Sequence, residues 1–485
     1  MDKYCIFLLI LFVCDAAPEE ETSTTLESFH LNSDTTPSCE LKETFLGSKK
    51  IYTCTNVSGS YLESHSHHTN RSEWFHCSQC TLATLTERTL HRFEPKNRIL
   101  YLNVSACRVD AIADFAFREI PNLKLLLLRD NNLTNLTSAT FHSLRRLLQL
   151  DLSRNQLEEL VDDTFVHLGV LDILNLNFNR LRTLQPRAFA GMKELKYLYL
   201  SYNRIGNVHP YLFKDLINLR ILYVEYNQIK EISPLAFTNL QRLQYLYLNH
   251  NTIEFLSEYN FKELGELVDL QMRGNALNEI CTSAFNGLRK LKFLYLGDNN
   301  ISTLAQHSFT GLDSLTILDL TNNSLSSFSL EFLVDMPELR GLWLENNRIE
   351  ALPIARSNKT HRNLASFDLK QNRLDYFNYK MLLKQLECLE EIYVGENRFK
   401  CEFFMPMYDY FEESNVTLCL DARCDKNNTV WYTEKLCRLS YNAQPDDNAN
   451  VDEVLNGGDT TGRSFYMHLT HLIYCLVFVR VFVGK

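Results

Sequence analysis

Glycine is scarce in this chain, 16 of 485 residues, and none of it forms a phosphate-cradling loop. Neither G-x-S-x-G nor H-E-x-x-H occurs, so two common catalytic motifs are missing. Histidine and aspartate are scattered without a shared spacing, and no catalytic constellation is expected. No metal or cofactor is expected either. Positive charge is also short, with 49 Lys and Arg against 59 Asp and Glu, a net charge of -10. That deficit argues against a nucleic-acid partner. Strongly apolar runs bounded like targeting signals lie only at the two ends.

What fills the chain is one repeated pattern. Leu195-x-x-Leu198-x-Leu200-x-x-Asn203-x-Ile205 is followed by Leu219-x-x-Leu222-x-Val224-x-x-Asn227-x-Ile229. The pivots are Cys107, Asn131, Asn155, Asn179, Asn203, Asn227, Asn251, Asn275, Asn299, Asn323, Asn347, Asn372 and Asn397. They step by 24 residues ten times and by 25 twice. A fixed period with L-x-x-L-x-L-x-x-N/C-x-L marks a leucine-rich repeat. The L-x-L alternation predicts a strand with leucines inside and the intervening residue facing solvent. The pivot amide is placed to satisfy backbone groups where the chain turns. A second spine runs ten residues after each pivot, from Phe117 through Phe141, Phe165, Phe189 and Phe213 to Phe237, Phe261, Phe285 and Phe309. Leu333 then takes its place, and Ser357 breaks it. The expected fold is α/β, a curved leucine-rich repeat solenoid with a parallel concave sheet and disulfide-stapled caps.

Equal repeats stack equivalent side chains into columns. The solvent side of the strands is expected to carry Phe178, Tyr197, Tyr199, Tyr202, Tyr223, Tyr226, Tyr245, Tyr247, His250, Phe293, Tyr295 and Trp343. Aromatics favour strands and stack across them for packing alone. Tyr and Trp are also enriched at protein interfaces, so these residues are the candidate partner-binding set. Sequons occur at Asn56, Asn70, Asn103, Asn132, Asn135, Asn300, Asn322, Asn358, Asn415 and Asn427. None lies between residues 136 and 299, where most of the aromatics stand.

The ends read as targeting and capping segments. Residues 1–16 have the positive start, short apolar core and small-residue finish of a secretory signal peptide; the rival is a buried N-terminal helix. Residues 17–38 are polar and acidic, and are expected to be disordered. Residues 39–98 hold Cys39, Cys54, Cys77 and Cys80 and are expected to cap the array of thirteen repeats over 99–400. The alternative for Cys77-x-x-Cys80 is half a zinc site completed by His65, His67, His68 or His76. An oxidising compartment favours disulfides instead. Residues 401–438 hold Cys401, Cys419, Cys424 and Cys437. Cys107, Cys281 and Cys388 have no obvious partner. A polar stalk over 439–458 precedes the anchor signal at 459–485. The triplet Asn456-Gly457-Gly458, a polar spacer and an apolar tail follow the order of a glycosylphosphatidylinositol signal, with Asn456 the candidate attachment residue. A membrane helix over 465–484 is the rival.

On these motifs residues 39–438 resemble the extracellular leucine-rich repeat superfamily. The 24-residue Phe-spine repeats are similar to its typical class, as in Toll-like receptor ectodomains. The cysteine-rich segment after Asn397 resembles that superfamily's C-terminal flank. A tail-anchored array looks most like the connectin and chaoptin type of surface adhesion protein. The wide gap between Cys54 and Cys77 departs from that pattern, as does the odd cysteine count. The resemblance implies a cell-surface location and adhesion or recognition through an extracellular or cell-surface protein. Membrane contact through the C-terminal anchor and a homophilic contact or dimer belong to the same expectation. The alternative is an innate immune pattern-recognition protein, or a ligand-presenting co-receptor without its own signalling domain.

Overall fold

Alternating leucines give short strands, because every second side chain leaves water. The computed structural model describes residues 36–43, 50–68, 72–94, 98–354 and 360–420. The segments expected to be signal peptide, stalk and anchor signal, with Asn456, lie outside these residues. Contacts divide the chain into two units, residues 1–252 and 253–485.

In the first unit, strands Tyr101–Asn103, Leu125–Leu127, Gln149–Asp151, Ile173–Asn175, Tyr197–Tyr199, Ile221–Tyr223 and Tyr245–Tyr247 pair in parallel, each with the next. The register places Leu102, Leu126, Leu150, Leu174, Leu198, Leu222 and Leu246 in one buried row. The pivots do what the sequence suggested. Asn203 Nδ2 donates to Leu176 O and Leu200 O at 3.0 Å each and to Ser201 O at 3.3 Å. Its Oδ1 accepts from Leu181 N–H at 3.0 Å. One buried amide thus ties its own turn to the coil before it. The residue ahead of each pivot is left-handed, with φ of 55° at Phe178, 56° at Tyr202 and 52° at both Tyr226 and His250. That conformation disfavours bulky side chains. Beneath the returning turns, Phe117 to Phe237 stack in sequence with centroids 5.8 to 6.4 Å apart.

The segment expected to be a cap is built partly from the repeat itself. Strand Trp74–Ser78 pairs in parallel with Tyr101–Asn103, and Lys50–Thr55 pairs in parallel with Trp74–Ser78. Phe75 stands opposite Leu102, so Cys80 occupies the pivot position that Cys107 holds in the next coil. Ser38–Glu43 then lies antiparallel on Lys50–Thr55 and covers its outer edge. An exposed strand edge invites pairing with other chains, so covering it suppresses aggregation. This strand starts at Ser38, inside the segment expected to be disordered, because its pairing satisfies the backbone. Residues 17–35 of that segment lie outside the described residues. Disulfides join Cys39 to Cys54 and Cys77 to Cys80.

In the second unit, strands Asp269–Gln271, Phe293–Tyr295, Ile317–Asp319, Gly341–Trp343, Ser366–Asp368 and Glu391–Tyr393 repeat the parallel ladder. Phe261, Phe285 and Phe309 continue as stacked rings in this unit, and Leu333 is buried in a short 3-10 helix, Leu330–Asp335. Thr417–Cys419 adds a last strand on Glu391–Tyr393. Helix Cys401–Glu413 precedes it and buries Phe404, Met407 and Phe411. Cys401 and Cys419 are each disulfide-bonded. Cys424 and Cys437 lie outside the described residues. Cys107, Cys281 and Cys388 are free thiols. Among the described residues, no helix is long and apolar enough to cross a membrane.

Candidate binding surface

Two aromatic columns dominate the strand face of the first unit. Tyr199, Tyr223 and Tyr247 stand four residues before their pivots. Their rings stack at 4.9 and 4.5 Å with interplanar angles of 8° and 4°. The second column stands one residue before the pivots. Phe178, Tyr202, Tyr226 and His250 stack at 4.3, 4.4 and 4.3 Å. The Arg154 guanidinium closes its free end, 4.5 Å from the Phe178 centroid. This stacking offsets the left-handed backbone that the turn imposes. Tyr197 and Tyr245 are half-buried at the start of their strands, with Ile221 in register between them. Tyr202, Tyr226 and His250 are the open members, the two tyrosines 36% and 37% exposed. Tyr247 departs from the outward expectation: it is only 7% exposed. Its ring supports the column and offers a partner little surface.

Rings stacked in this way use up their faces on one another. What a column offers along its length is ring edges and phenol hydroxyls. The edges are the positive part of the ring quadrupole, so they suit carbonyl, carboxylate and aliphatic groups.

A polar column with one titratable member runs between the two, two residues before the pivots, and the sequence reading passed over it. It includes Asn177, Ser201, Glu225 and Asn249 in the first unit. Asn177 Oδ1 accepts from Ser201 N–H at 2.7 Å, and Glu225 Oε1 accepts from Asn249 Nδ2 at 2.6 Å. Burial pushes the Glu225 carboxyl up to about 7, against the Asn249 hydrogen bond, which pulls it down. Burial, and next to it the Tyr226 hydroxyl, push Tyr202 up to about 12.

A pH effect on stability follows. The folded state holds the Glu225 proton to about pH 7, while the ordinary carboxyl releases it near 4.5. The fold therefore loses stability as pH rises from 4.5 to 7, and the full cost is present above that window. Glu225→Gln is expected to remove up to about 3 kcal/mol of that cost at pH 8 and to flatten the profile. Denaturant midpoints of the two proteins at pH 5 and pH 8 check it. An equal effect at both pH values would show that Glu225 is not held neutral by the fold.

The second unit differs. Phe293 is half-buried, and Tyr295 and Trp343 approach only obliquely, with centroids 6.4 Å apart and planes at 41°. Asp319 stands between them in register and breaks the column. It is 1% exposed and pairs with Arg273 at 3.5 Å. Burial still raises its carboxyl, against the pull of Arg273. Lys370 lies 3.2 Å from Asp368 and 3.4 Å from Glu345, and 5.4 Å over the Tyr393 ring. Burial pushes Asp368 up to about 6. Arg273, Glu345 and Lys370 again stand two residues before their pivots, so listing that register position would have found them. The strand face is thus aromatic in one unit and charged in the other.

Of the sequons, Asn56, Asn132, Asn135, Asn300 and Asn415 are exposed, while Asn103 and Asn322 are half-buried. Asn322 donates to Asp298 and accepts from Asn346. Asn70, Asn358 and Asn427 lie outside the described residues. Two thiol clusters have metal-ligand spacing, Cys39–Cys54–His67 and Cys77–Cys80–Cys107. Disulfides occupy the sulfurs of Cys39, Cys54, Cys77 and Cys80, which removes them as thiolate ligands.

The pattern of the leucine rich repeat matches the chain over residues 98–157, 149–205, 169–229, 193–253, 217–277, 266–325 and 289–349. These windows run together from 98 to 349, which is 252 of the 485 residues. The chain belongs to the leucine-rich repeat family. Such a solenoid is typically an interaction scaffold. Among solved structures it is similar to TLR13 in complex with ssRNA13, at 26% identity and a TM-score of 0.62. That match covers 72% of this chain and 51% of the TLR13 chain, so the protein spans about half that receptor chain's length. A leucine-rich repeat protein of Leptospira interrogans is similar at 21% identity and a TM-score of 0.57, over 76% of this chain and 88% of that one. Toll in the Drosophila Toll–Spatzle complex is similar at 20% identity and a TM-score of 0.54, over 68% of this chain and 48% of that one. The last two likenesses speak to the fold alone. No curated protein matches the chain.

Proposed function

We propose that this is a cell-surface recognition protein of the connectin and chaoptin type. It is secreted, glycosylated and held to the membrane by its C-terminal tail, and it binds an extracellular or cell-surface protein. It does no catalysis. The observation that carries this reading is the pair of aromatic columns on the strand face of the first unit, with Tyr202 and Tyr226 open to solvent. Rigid, preordered tyrosines lose little entropy when a partner arrives. They supply the large amphipathic contacts that dominate protein interfaces. The stretch from 136 to 299, free of sequons, leaves this face without glycans of its own.

TLR13 was solved with single-stranded RNA, and that likeness favours a second reading, ligand capture in innate immunity for a separate signalling chain. A protein ligand suits this face better than RNA. Single-stranded nucleic acid is gripped by open ring faces and a positive groove. Here neighbouring rings cover one another's faces, and the chain carries a net charge of -10.

Cells displaying the full chain, mixed with naive and with displaying cells, test the first reading. Adhesion to displaying cells alone would indicate homophilic contact; adhesion to naive cells would indicate a different surface partner. Tyr202→Ala combined with Tyr226→Ala is expected to weaken that adhesion or binding at least tenfold, since a hot-spot ring is worth about 2 kcal/mol or more. Tyr211→Ala, at an exposed ring on the turn side, is the control and should change nothing. Absence of adhesion together with recovery of no surface protein by proximity labelling would rule the reading out. So would full activity in the double variant.

A further inference from the structure

The N-terminal coils hold five cysteines, and two disulfides use four of them. The fifth, Cys107, is not remote from the rest. Its sulfur and those of Cys77 and Cys80 all lie within 4.8 Å of one another, and all three residues are buried. Cys107 S–H donates to Cys77 O at 3.3 Å and to Ser105 O at 3.3 Å. Cys80 and Cys107 are the pivots of neighbouring coils, set in register by Phe75 opposite Leu102. In-register positions of adjacent strands are about 4.8 Å apart, inside the Cα range that a disulfide spans.

We propose that Cys77, Cys80 and Cys107 form one internal thiol–disulfide exchange site, in which the bond moves between a link within one coil and a staple between two. The Cys107 thiolate attacks the Cys80 sulfur. A Cys80–Cys107 bond forms, the Cys77–Cys80 bond breaks, and Cys77 leaves as the thiolate. The proton that Cys107 gives up returns to Cys77. One disulfide and one thiol enter and leave, so neither oxidant nor reductant is needed. The backbone sets which partner is favoured: Cys80 shares the pivot register with Cys107, whereas Cys77 stands in the strand. The bond moves from a sequence separation of 3 to one of 27 (107 less 80). A longer closed loop restricts the unfolded chain more, so the staple is the more stabilising isomer on entropic grounds. Burial pushes the Cys107 thiol up to about 11. The thiolate is therefore scarce near neutral pH, and exchange is slow while the coils are closed.

Disulfide mapping of the purified full chain tests this. The protein is incubated at pH 7, 8 and 9 without added thiol, quenched with acid, blocked with N-ethylmaleimide under denaturing acid conditions, and digested without reduction. Mass spectrometry is expected to find a peptide joining Cys80 to Cys107 with Cys77 blocked. Its rate of appearance should rise about tenfold per pH unit, because the thiolate fraction does so below the thiol's pKa. Cys107→Ser should abolish that peptide and leave Cys77–Cys80 intact. Finding Cys107 blocked in every molecule at every pH would overturn the proposal. A joined peptide whose rate ignores pH would overturn it too, since the attack would not be by the Cys107 thiolate.

Discussion

Asn203→Ala is expected to destabilise the protein by about 2–4 kcal/mol, although it removes only a small polar side chain. The amide serves four backbone groups: the carbonyls of Leu176, Leu200 and Ser201, and the amide of Leu181. Asn203 is 7% exposed, so water does not reach in to replace it. Its removal leaves Leu181 N–H without its acceptor, at a cost of about 1–3 kcal/mol, while the three carbonyls lose one donor each and keep another: Asn179 Nδ2 on Leu176 O, Asn227 Nδ2 on Leu200 O and Phe178 N–H on Ser201 O. Asn203→Asp should fare little better. It keeps an acceptor for Leu181 N–H, but it places a carboxylate against three carbonyl oxygens. Arg204→Ala, at the exposed next residue, should stay within about 0.5 kcal/mol. Urea midpoints of the full chain give the comparison. Hydrogen exchange should show protection lost first at Leu181, since its amide donates only through the pivot. If Asn203→Ala matched Arg204→Ala, the pivot would be a turn preference and not a buried tie between coils.

How far the sequence showed this differs from element to element. The 24-residue period identifies strands, pivots and the Phe spine, because each is a position where one physical demand recurs in every coil. Where the demand is met by other residues, the period is lost to view. The coils before Tyr101 use Tyr52 and Phe75 in the leucine row and Cys80 at the pivot. The step from Cys80 to Cys107 is 27 residues, outside the regular spacing. Aromatic columns are legible because equal steps force register. The cover on Tyr247 is not, since alternation says which face a ring leaves by and not how much its neighbours cover it. The raised Glu225 carboxyl is the balance of burial against one hydrogen bond, and neither is written in a local pattern. Arg273 and Lys370 were visible as letters. They became a site only when the coils set Asp319, Glu345 and Asp368 beside them.

Phe213→Ala should cost about 3–5 kcal/mol, the range for emptying a buried aromatic site. The ring is 1% exposed and stacks on Phe189 at 5.8 Å and on Phe237 at 6.4 Å. Its loss leaves a void between two rings that belong to different coils. Repeats of this kind draw stability from each neighbour interface, so both interfaces weaken at once. The backbone around it is fixed by pivot amides above and tight turns below, and the site has little freedom to collapse. Phe213→Leu should cost clearly less, roughly 1–2 kcal/mol, because a smaller apolar side chain still fills part of the space. The chain itself makes that exchange at Leu333, which is buried at the same place in its repeat. On the recognition role proposed above, partner binding should be lost in Phe213→Ala only where the protein unfolds, since the ring is buried while Tyr202 and Tyr226 are exposed. A protein that keeps its urea midpoint after Phe213→Ala would show that the spine fills space without holding the coils together.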